Sequence, residues 1–480
     1  MTRVTPMIPD TLSALEDRLA EDLLWLNLPA KDWMVPQPGV LDVAVIGGGV
    51  MGLVTLAALR RLGVYNVRAF DRAPAGREGP WVTFARMETL RTRKEAAGPA
   101  LGVPSLTFRA WFEAKFGRDA WTRMTLAPRE MWMDYLVWYR RVLDLPVVNE
   151  TSVTAVVPEG PLVRLEIAGP QGPETLRARR VVIATGLDGL GAPSLPAVAR
   201  SVDPRFVAHG ADMIDMAALK GRRVAVVGAG ASAMDNAAAA LEAGAAQVDI
   251  FVRRRDIPRV DKFTGIGSPG MTQGYLGLPD AVKWAYMVEG EQAQIPPPRH
   301  SVLRVSRHAG ARFHLSSPID ALVEENGGIT VVTPKGRYPV DFAIFATGFS
   351  ADMAERPEFA ALAGRVRLWR DAHRPAPGSE HAGIGQMPYL GPAFEFLPKA
   401  EGDNVGHIHC FAYPAVPTHG KITSGVPAIS DGATRLAQGI ARSLFVEDAE
   451  LHLGRFRAFE TPELLGDEWT DADLEEPTHV

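Results

Sequence analysis

Two glycine-rich loops decide what this 480-residue chain can fold into. The first reads Val43-Ala44-Val45-Ile46-Gly47-Gly48-Gly49-Val50-Met51-Gly52 and the second Val224-Ala225-Val226-Val227-Gly228-Ala229-Gly230-Ala231-Ser232-Ala233. Each follows a run of apolar β-formers and opens an Ala/Leu-rich helical segment, over 53–62 and 233–243. In such a loop the first glycine makes the tight strand-to-helix turn and the second lets backbone N–H groups approach a pyrophosphate. The third small residue lets helix and strand pack closely. The anion then rests on unsatisfied N–H groups at the positive end of a helix dipole. One loop cradles one dinucleotide, so two loops predict two dinucleotides and a redox relay between them.

The residues downstream of the loops differ. The strand expected over 65–70 ends in Asp71, followed by Arg72. An acid about 20 residues past the first glycine accepts hydrogen bonds from an adenosine ribose. The strand expected over 247–252 ends in Arg253-Arg254-Arg255, where guanidinium groups pair with a 2′-phosphate. This assigns FAD or NAD to the first loop and NADPH to the second. Two further strands end in Ala-Thr-Gly, at Thr185-Gly186 and Thr347-Gly348. Each marks a place where backbone passes close to a cofactor.

The expected fold class is α/β, with two Rossmann-like dinucleotide-binding domains, the NADPH domain inserted in the FAD domain. The boundaries read as an N-terminal helical extension over 1–40, a first stretch of the FAD-binding domain over 41–202 and the NADPH domain over 203–335. The FAD-binding domain resumes over 336–450, and a tail follows over 451–480. Asp10 is the expected cap of a first helix reaching about Leu26, docked on the core or, as the alternative, forming a homodimer contact. Helices are expected over 106–116, 131–143 and 431–444. Lys and Arg total 51 against 56 Asp and Glu, a balance of −5 that points to neither nucleic acid nor membrane surface. No apolar run reaches membrane-span length, and no signal peptide is read at the N-terminus. A cytoplasmic location is therefore expected. The single cysteine, Cys410, excludes an intramolecular redox disulfide and with it the disulfide reductases of two-dinucleotide architecture.

The two loops and Asp341-Phe342-Ala343-Ile344-Phe345-Ala346-Thr347-Gly348-Phe349 resemble the class B flavin monooxygenases over roughly residues 41–445. That group includes microsomal-type enzymes, Baeyer–Villiger enzymes and amine N-hydroxylases. The last stretch is similar to the N-hydroxylase pattern Asp-x-x-x-(Leu/Phe)-Ala-Thr-Gly-Tyr, with Phe349 in place of tyrosine. Of the longer signature Phe-x-Gly-x-x-x-His-x-x-x-(Trp/Tyr) only His209 survives. Asp203, Arg205 and Met213 stand at its other positions, which favours the N-hydroxylases. Residues 81–93, with Trp81 at their head, are similar to a flavin-contacting loop.

The resemblance implies FAD and NADPH as cofactors and O2 and a small molecule as substrates. It implies a C4a-hydroperoxyflavin that N-hydroxylates a small amine or amino acid. S-oxidation, Baeyer–Villiger insertion and electron-transfer reduction are the alternatives, with a flavin-loaded sensor as the non-enzymatic one. Few acid–base side chains are needed, because the cofactor carries the hard chemistry. His209 is the imidazole singled out near the cofactors, against the reading of an interdomain histidine. Asp431 opens the last helix, whose N-terminus would face the flavin, or it serves as a cap. For substrate binding the basic candidates are Arg86, Arg91, Arg93 and Lys94, then Arg259 and Lys262, then His419 and Lys421. No metal is expected at His407-Ile408-His409-Cys410, which lacks a second ligand cluster.

Overall fold

A computed structural model describes residues 11–187, 189–423 and 425–473. Strand Val40–Ile46 runs into Gly47, and helix Val50–Arg60 starts behind it with Gly49 at its N-cap. Val67–Phe70 and the second half of Gly172–Ile183 flank this strand in parallel. Val147–Val148 extends the sheet on one side and Ile408–Cys410 pairs with Val181–Ile183 on the other. The inner residues Val43, Ala44, Val45, Val181, Val182 and Ile183 are fully buried. Parallel strands covered on both faces need such continuous apolar runs. The first half of Gly172–Ile183 belongs instead to an antiparallel meander with Ser152–Glu159 and Leu162–Gly169, and it is largely exposed.

A second unit repeats this plan. Arg223–Val227 leads through Gly228 into helix Ala231–Glu242, capped by Gly230. Its sheet is parallel throughout, in the order Ala311–His314, Gln247–Phe251, Arg223–Val227, Phe342–Phe345, Val207–His209. A three-stranded antiparallel meander, Ala321–Glu325, Gly328–Thr333 and Gly336–Val340, precedes the strand that ends in Ala-Thr-Gly. The expected boundary at 335 therefore falls inside a unit whose strands continue to Phe345. The cause is the second Ala-Thr-Gly strand, which pairs with Arg223–Val227 just as Gly172–Ile183 pairs with Val40–Ile46.

Each unit carries a helical insert, in the first between Val67–Phe70 and Val147–Val148 and in the second between Gln247–Phe251 and Ala311–His314. In the first unit, helices Phe108–Phe116 and Arg129–Val142 pack around Phe108, whose ring meets Trp111, Trp132 and Tyr135. The N-terminal helix Leu12–Trp25 docks there through Leu15 and Leu19. Thr11 caps it, accepting from Ala14 N–H at 3.2 Å; the expected cap Asp10 lies outside the described residues. In the second unit the insert includes helices Asp280–Ala293 and Arg299–Ser306. The chain crosses between units twice, and the crossings pair with each other. Ser194 N–H donates to Gly348 carbonyl at 2.8 Å and Ser350 N–H to Ala192 carbonyl at 2.9 Å. The last long helix, Ile429–Glu447, returns to pack on Val50–Arg60.

Candidate functional site

Sterics force the glycines of the first loop. Gly47 has φ +106°, and a Cβ there would lie 2.7 Å from Ala184 carbonyl oxygen; a Cβ on Gly52 would lie 1.9 Å from Gly47 oxygen. A Cβ on Gly49 would meet nothing closer than 3.9 Å, so the helix N-terminus opens onto free space. That space fits a pyrophosphate. Asp71 reaches the loop, accepting from Gly48 N–H at 2.7 Å and Ala73 N–H at 2.8 Å. A cavity of about 470 Å³ beside Gly48 and Gly49 is lined by Leu136 and Met133 and by Glu78, which Arg140 holds at 2.9 Å. It could take the adenosine end of a dinucleotide. Trp81 stands on the other side of Gly79, its ring 6.1 Å from that of Trp132. Arg72 is exposed at the strand end.

The second loop has the same geometry. Gly228 has φ +140°, and its Cβ would lie 2.7 Å from Ala346 oxygen; a Cβ on Gly230 would meet nothing within 4 Å. Ala233 is fully buried against the strand, and Ser232 is exposed on the first helical turn. A crevice of about 710 Å³ begins at Gly228–Gly230 and takes in Arg253, Arg254, Thr347 and Gly348. It continues to Tyr413, Val416 and Lys421, which belong to the returning chain. Tyr413 N–H donates to Gly186 carbonyl at 3.1 Å, so this end lies against the Ala-Thr-Gly turn of the first unit. Both turns are pinned by their threonines: Thr185 Oγ1 donates to Gly189 carbonyl at 2.6 Å and Thr347 Oγ1 to Ser194 carbonyl. The insert of the second unit closes one wall with Phe263, Met287 and Glu291.

The basic candidates separate by what they touch. Arg86 donates to the carbonyls of Phe84, Gly210 and Asp212 at 2.7, 3.1 and 2.8 Å, joining the two units. Arg259 pairs with Asp256, and Lys262 with Glu289 at 2.8 Å, both on the exposed surface. Lys94 donates to the carbonyls of Trp121 and Met124. Arg91 lies 3.7 Å from Asp261 across the unit boundary. His419 is fully buried, stacked on Phe394 at 3.7 Å between ring centroids, with Nε2 3.0 Å from Gly391 carbonyl. Burial, with Arg435 beside it, pushes its pKa down to about 3, so it stays neutral. Of these basic residues, Lys421 lines the crevice.

His209 is buried where its strand ends. Nδ1 accepts from Ala211 N–H at 3.1 Å, and the ring meets Phe349 edge-on at 5.5 Å. It stands behind the crossing segments and is not part of the crevice lining. Asp431 occupies the first turn of the last helix, exposed, accepting from Gln273 Nε2 at 3.1 Å. The N-cap position belongs to Ala428, because Ser430 already lies in the helix and bonds back to Gly98 carbonyl at 2.7 Å. Ser424, just before it, lies outside the described residues. Phe263, Met287, Glu291 and Tyr413 carried no sequence signal of their own. No helical insert was expected between Gln247–Phe251 and Ala311–His314, so nothing pointed to the segment that bears the first three.

Comparison with known proteins gives this geometry a family. Residues 115–295 match the family described as L-lysine 6-monooxygenase/L-ornithine 5-monooxygenase. The chain is 38% identical over 465 residues to an FAD-dependent urate hydroxylase of Xanthomonas campestris pv. campestris, covering 95% of this chain and 98% of that one. In structure it is similar to ornithine hydroxylase from Pseudomonas aeruginosa, at TM-score 0.67 and 16% identity over 84% of this chain and 100% of that one. It is likewise similar to an ornithine N-hydroxylase of Kutzneria sp. 744 solved with reduced FAD, NADP⁺ and L-ornithine. That match has TM-score 0.62 and 17% identity, over 84% of this chain and 99% of that one. These structural likenesses show a shared two-dinucleotide fold, the one expected from the two loops, and are consistent with the N-hydroxylase resemblance.

The fold and crevice are those of a flavin-dependent oxidoreductase that uses FAD. The chain belongs to the class B flavin-dependent monooxygenases. O2 and a small molecule are its substrates. Among the described residues no helix is long and apolar enough to cross a membrane.

Proposed function

We propose that this monooxygenase hydroxylates an oxopurine of the urate type. The supporting observation is the 38% identity to a urate hydroxylase across 95% of the chain, which includes both loops and the whole crevice. The crevice suits a flat, polar heterocycle: Phe263, Tyr413, Met287 and Val416 give broad apolar and aromatic walls, and Lys421 and Glu291 give two polar contacts of opposite charge. The overall reaction is substrate–H + O2 + NADPH + H⁺ → substrate–OH + NADP⁺ + H2O. Amine N-hydroxylation is the second reading, favoured by the family match over 115–295, which spans most of the insert wall.

In this reading Gly47, Gly49, Gly52 and Asp71 hold the FAD pyrophosphate and ribose, with Trp81, Arg91, Thr185 and Gly186 nearer the flavin. Gly228, Gly230, Ser232 and Ala233 hold the NADPH pyrophosphate, and Arg253 and Arg254 its 2′-phosphate. Bound there, FAD supplies hydride acceptance and activation of O2. The side chains supply position and dryness: Phe263, Tyr413 and Val416 exclude water, and Lys421 orients the substrate. We further infer a cytoplasmic enzyme, which the single cysteine supports. We also infer a homodimer, supported by Leu24 and Trp25, 68% and 65% exposed at the end of the first helix.

The test supplies the FAD-loaded protein with NADPH and oxygen and offers urate, ornithine, lysine and cadaverine in turn. Urate-dependent NADPH oxidation with one oxygen added to the purine is the expected result. Oxygenation of an amine with urate inert would replace the first reading by the second.

A further inference from the structure

Lys421 is held in an unusual position for a lysine. It follows Gly420, which has φ +76° and leaves room only for the Tyr275 ring: a Cβ there would lie 3.0 Å from Tyr275 Cγ. On either side His419 and Ile422 are buried, so the turn is anchored and the Lys421 side chain projects into the crevice. Among the described residues its ammonium has neither a hydrogen bond nor a carboxylate at ion-pair distance. Its close neighbour is the face of Phe263, 3.9 Å from the ring centroid.

The charges around it are already engaged. Asp261 accepts from Phe263 N–H at 3.1 Å and pairs with Arg91 at 3.7 Å. Glu291 accepts from the Tyr413 hydroxyl at 3.5 Å. Burial lowers the Lys421 pKa, with Asp261 and Glu291 opposing that shift and Arg91 adding to it. A half-buried ammonium resting on an aromatic face is weakly compensated, and a charge-assisted hydrogen bond to an anion is the stronger interaction. A flat anion entering the crevice would take the ammonium from Phe263 and leave the ring free to stack.

We propose that Lys421 is the specificity residue that selects an anionic, planar oxopurine over a cationic amine. Arg91, paired with Asp261, adds positive potential nearby. The proposal rests on the urate-type reading above and goes beyond it in naming the side chain that makes the choice. An amino acid could also present its carboxylate to Lys421, so the experiment carries ornithine as a second probe.

The FAD-loaded wild type, Lys421→Met and Lys421→Arg are titrated with urate and with ornithine in the absence of NADPH, by calorimetry. Steady-state constants and melting temperatures are measured in parallel. Lys421→Met should weaken urate binding and raise its KM by about tenfold or more, with kcat within about threefold and the melting temperature unchanged. Lys421→Arg should recover part of the loss. Equal urate affinity in wild type and Lys421→Met overturns the proposal, as does a loss confined to ornithine. Failure of the wild type itself to bind urate removes the underlying reading instead, and is read on a different sample.

Discussion

At the scale of single residues, the structure separates charges that are engaged from charges that are free. Arg254 donates to Gln292 carbonyl at 2.7 Å, whereas Arg253 lines the crevice with no partner among the described residues. Of the two, Arg253 therefore has its whole guanidinium open to the 2′-phosphate, while Arg254 offers only the donors that Gln292 leaves. Arg253→Ala should raise the KM for NADPH about tenfold, a loss of about 1.4 kcal/mol, and leave that for NADH nearly unchanged. Equal effects on both cofactors would remove the assignment. Asp42 gives a stability prediction. It is buried beside Arg179 at 3.7 Å, in a cluster where Arg179 and Arg180 face Glu447 and Asp448 as well, with Asp32 nearby. Burial raises its pKa from 3.8 to about 6, outweighing Arg179, while Asp32 and Asp448 push the same way. A carboxyl with a raised folded-state pKa favours the fold below its unfolded pKa, and that stability is lost as pH rises through 6. Asp42→Asn should therefore stabilise the protein by about 1–2 kcal/mol at pH 8 and make little difference below pH 4. Thermal melts across that range would show it.

At the scale of elements, the two loops differ at the third small residue, and that difference is testable. Gly52 lies so close to Gly47 that a single methyl would strike its carbonyl, whereas Ala233 already carries a methyl at the matching place in the second loop. Gly52→Ala should purify with about a tenth or less of the wild-type flavin per chain, because the helix must retreat from the pyrophosphate cradle. Ala233→Gly should keep its flavin. Flavin absorbance after purification reads both.

These loops were legible in the sequence because their chemistry is local: strand, turn and helix lie within about a dozen residues. The last helix was legible with Asp431 as its opening residue, although it begins at Ile429, two residues earlier. The crevice wall was less legible. Phe263, Glu291 and Tyr413 come from segments more than a hundred residues apart at the extremes, and nothing in their neighbours says which side they face. Arg86 shows the same limit: its sequence context cannot distinguish an arginine open to substrate from one spent on three carbonyls. The end of the second unit was hard to read because the meander 321–340 looks alike whichever sheet follows it.

At the scale of the whole molecule, two similar units must hold their loops in a fixed relation, and three kinds of contact join them: the paired crossings, a buried cluster of Trp284, Met287 and Val288 against Trp369, Met387 and Val416, and a few polar side chains. Arg304 is the larger of the polar joints. It leaves the second-unit helix Arg299–Ser306 and is buried, bonding Glu242 at 2.7 Å within its own unit. It also donates to Arg86 carbonyl at 3.2 Å and lies 3.6 Å from Glu88, both in the segment leading from Trp81. Arg86 in turn holds Gly210 and Asp212 beside His209. The two arginines thus form a chain that fixes the flavin-side segment against the entrance strand of the second unit. A relay across a shared crevice depends on such a joint, since a displacement of about 1 Å can cost a hundredfold in rate. Removing Arg304 would strand the buried Asp235, 3.6 Å from its guanidinium, so Arg86 is the better probe. Arg86→Met should speed amide exchange about tenfold in residues 84–88 and 210–213, with the parallel strands of both units unchanged. It should also consume NADPH with less hydroxylated product per turnover, since the rings no longer meet in register. If exchange there stays at the wild-type rate while the substrate KM rises, Arg86 faces substrate, and the joint between the units must be sought in the paired crossings and the buried cluster around Trp284 and Trp369.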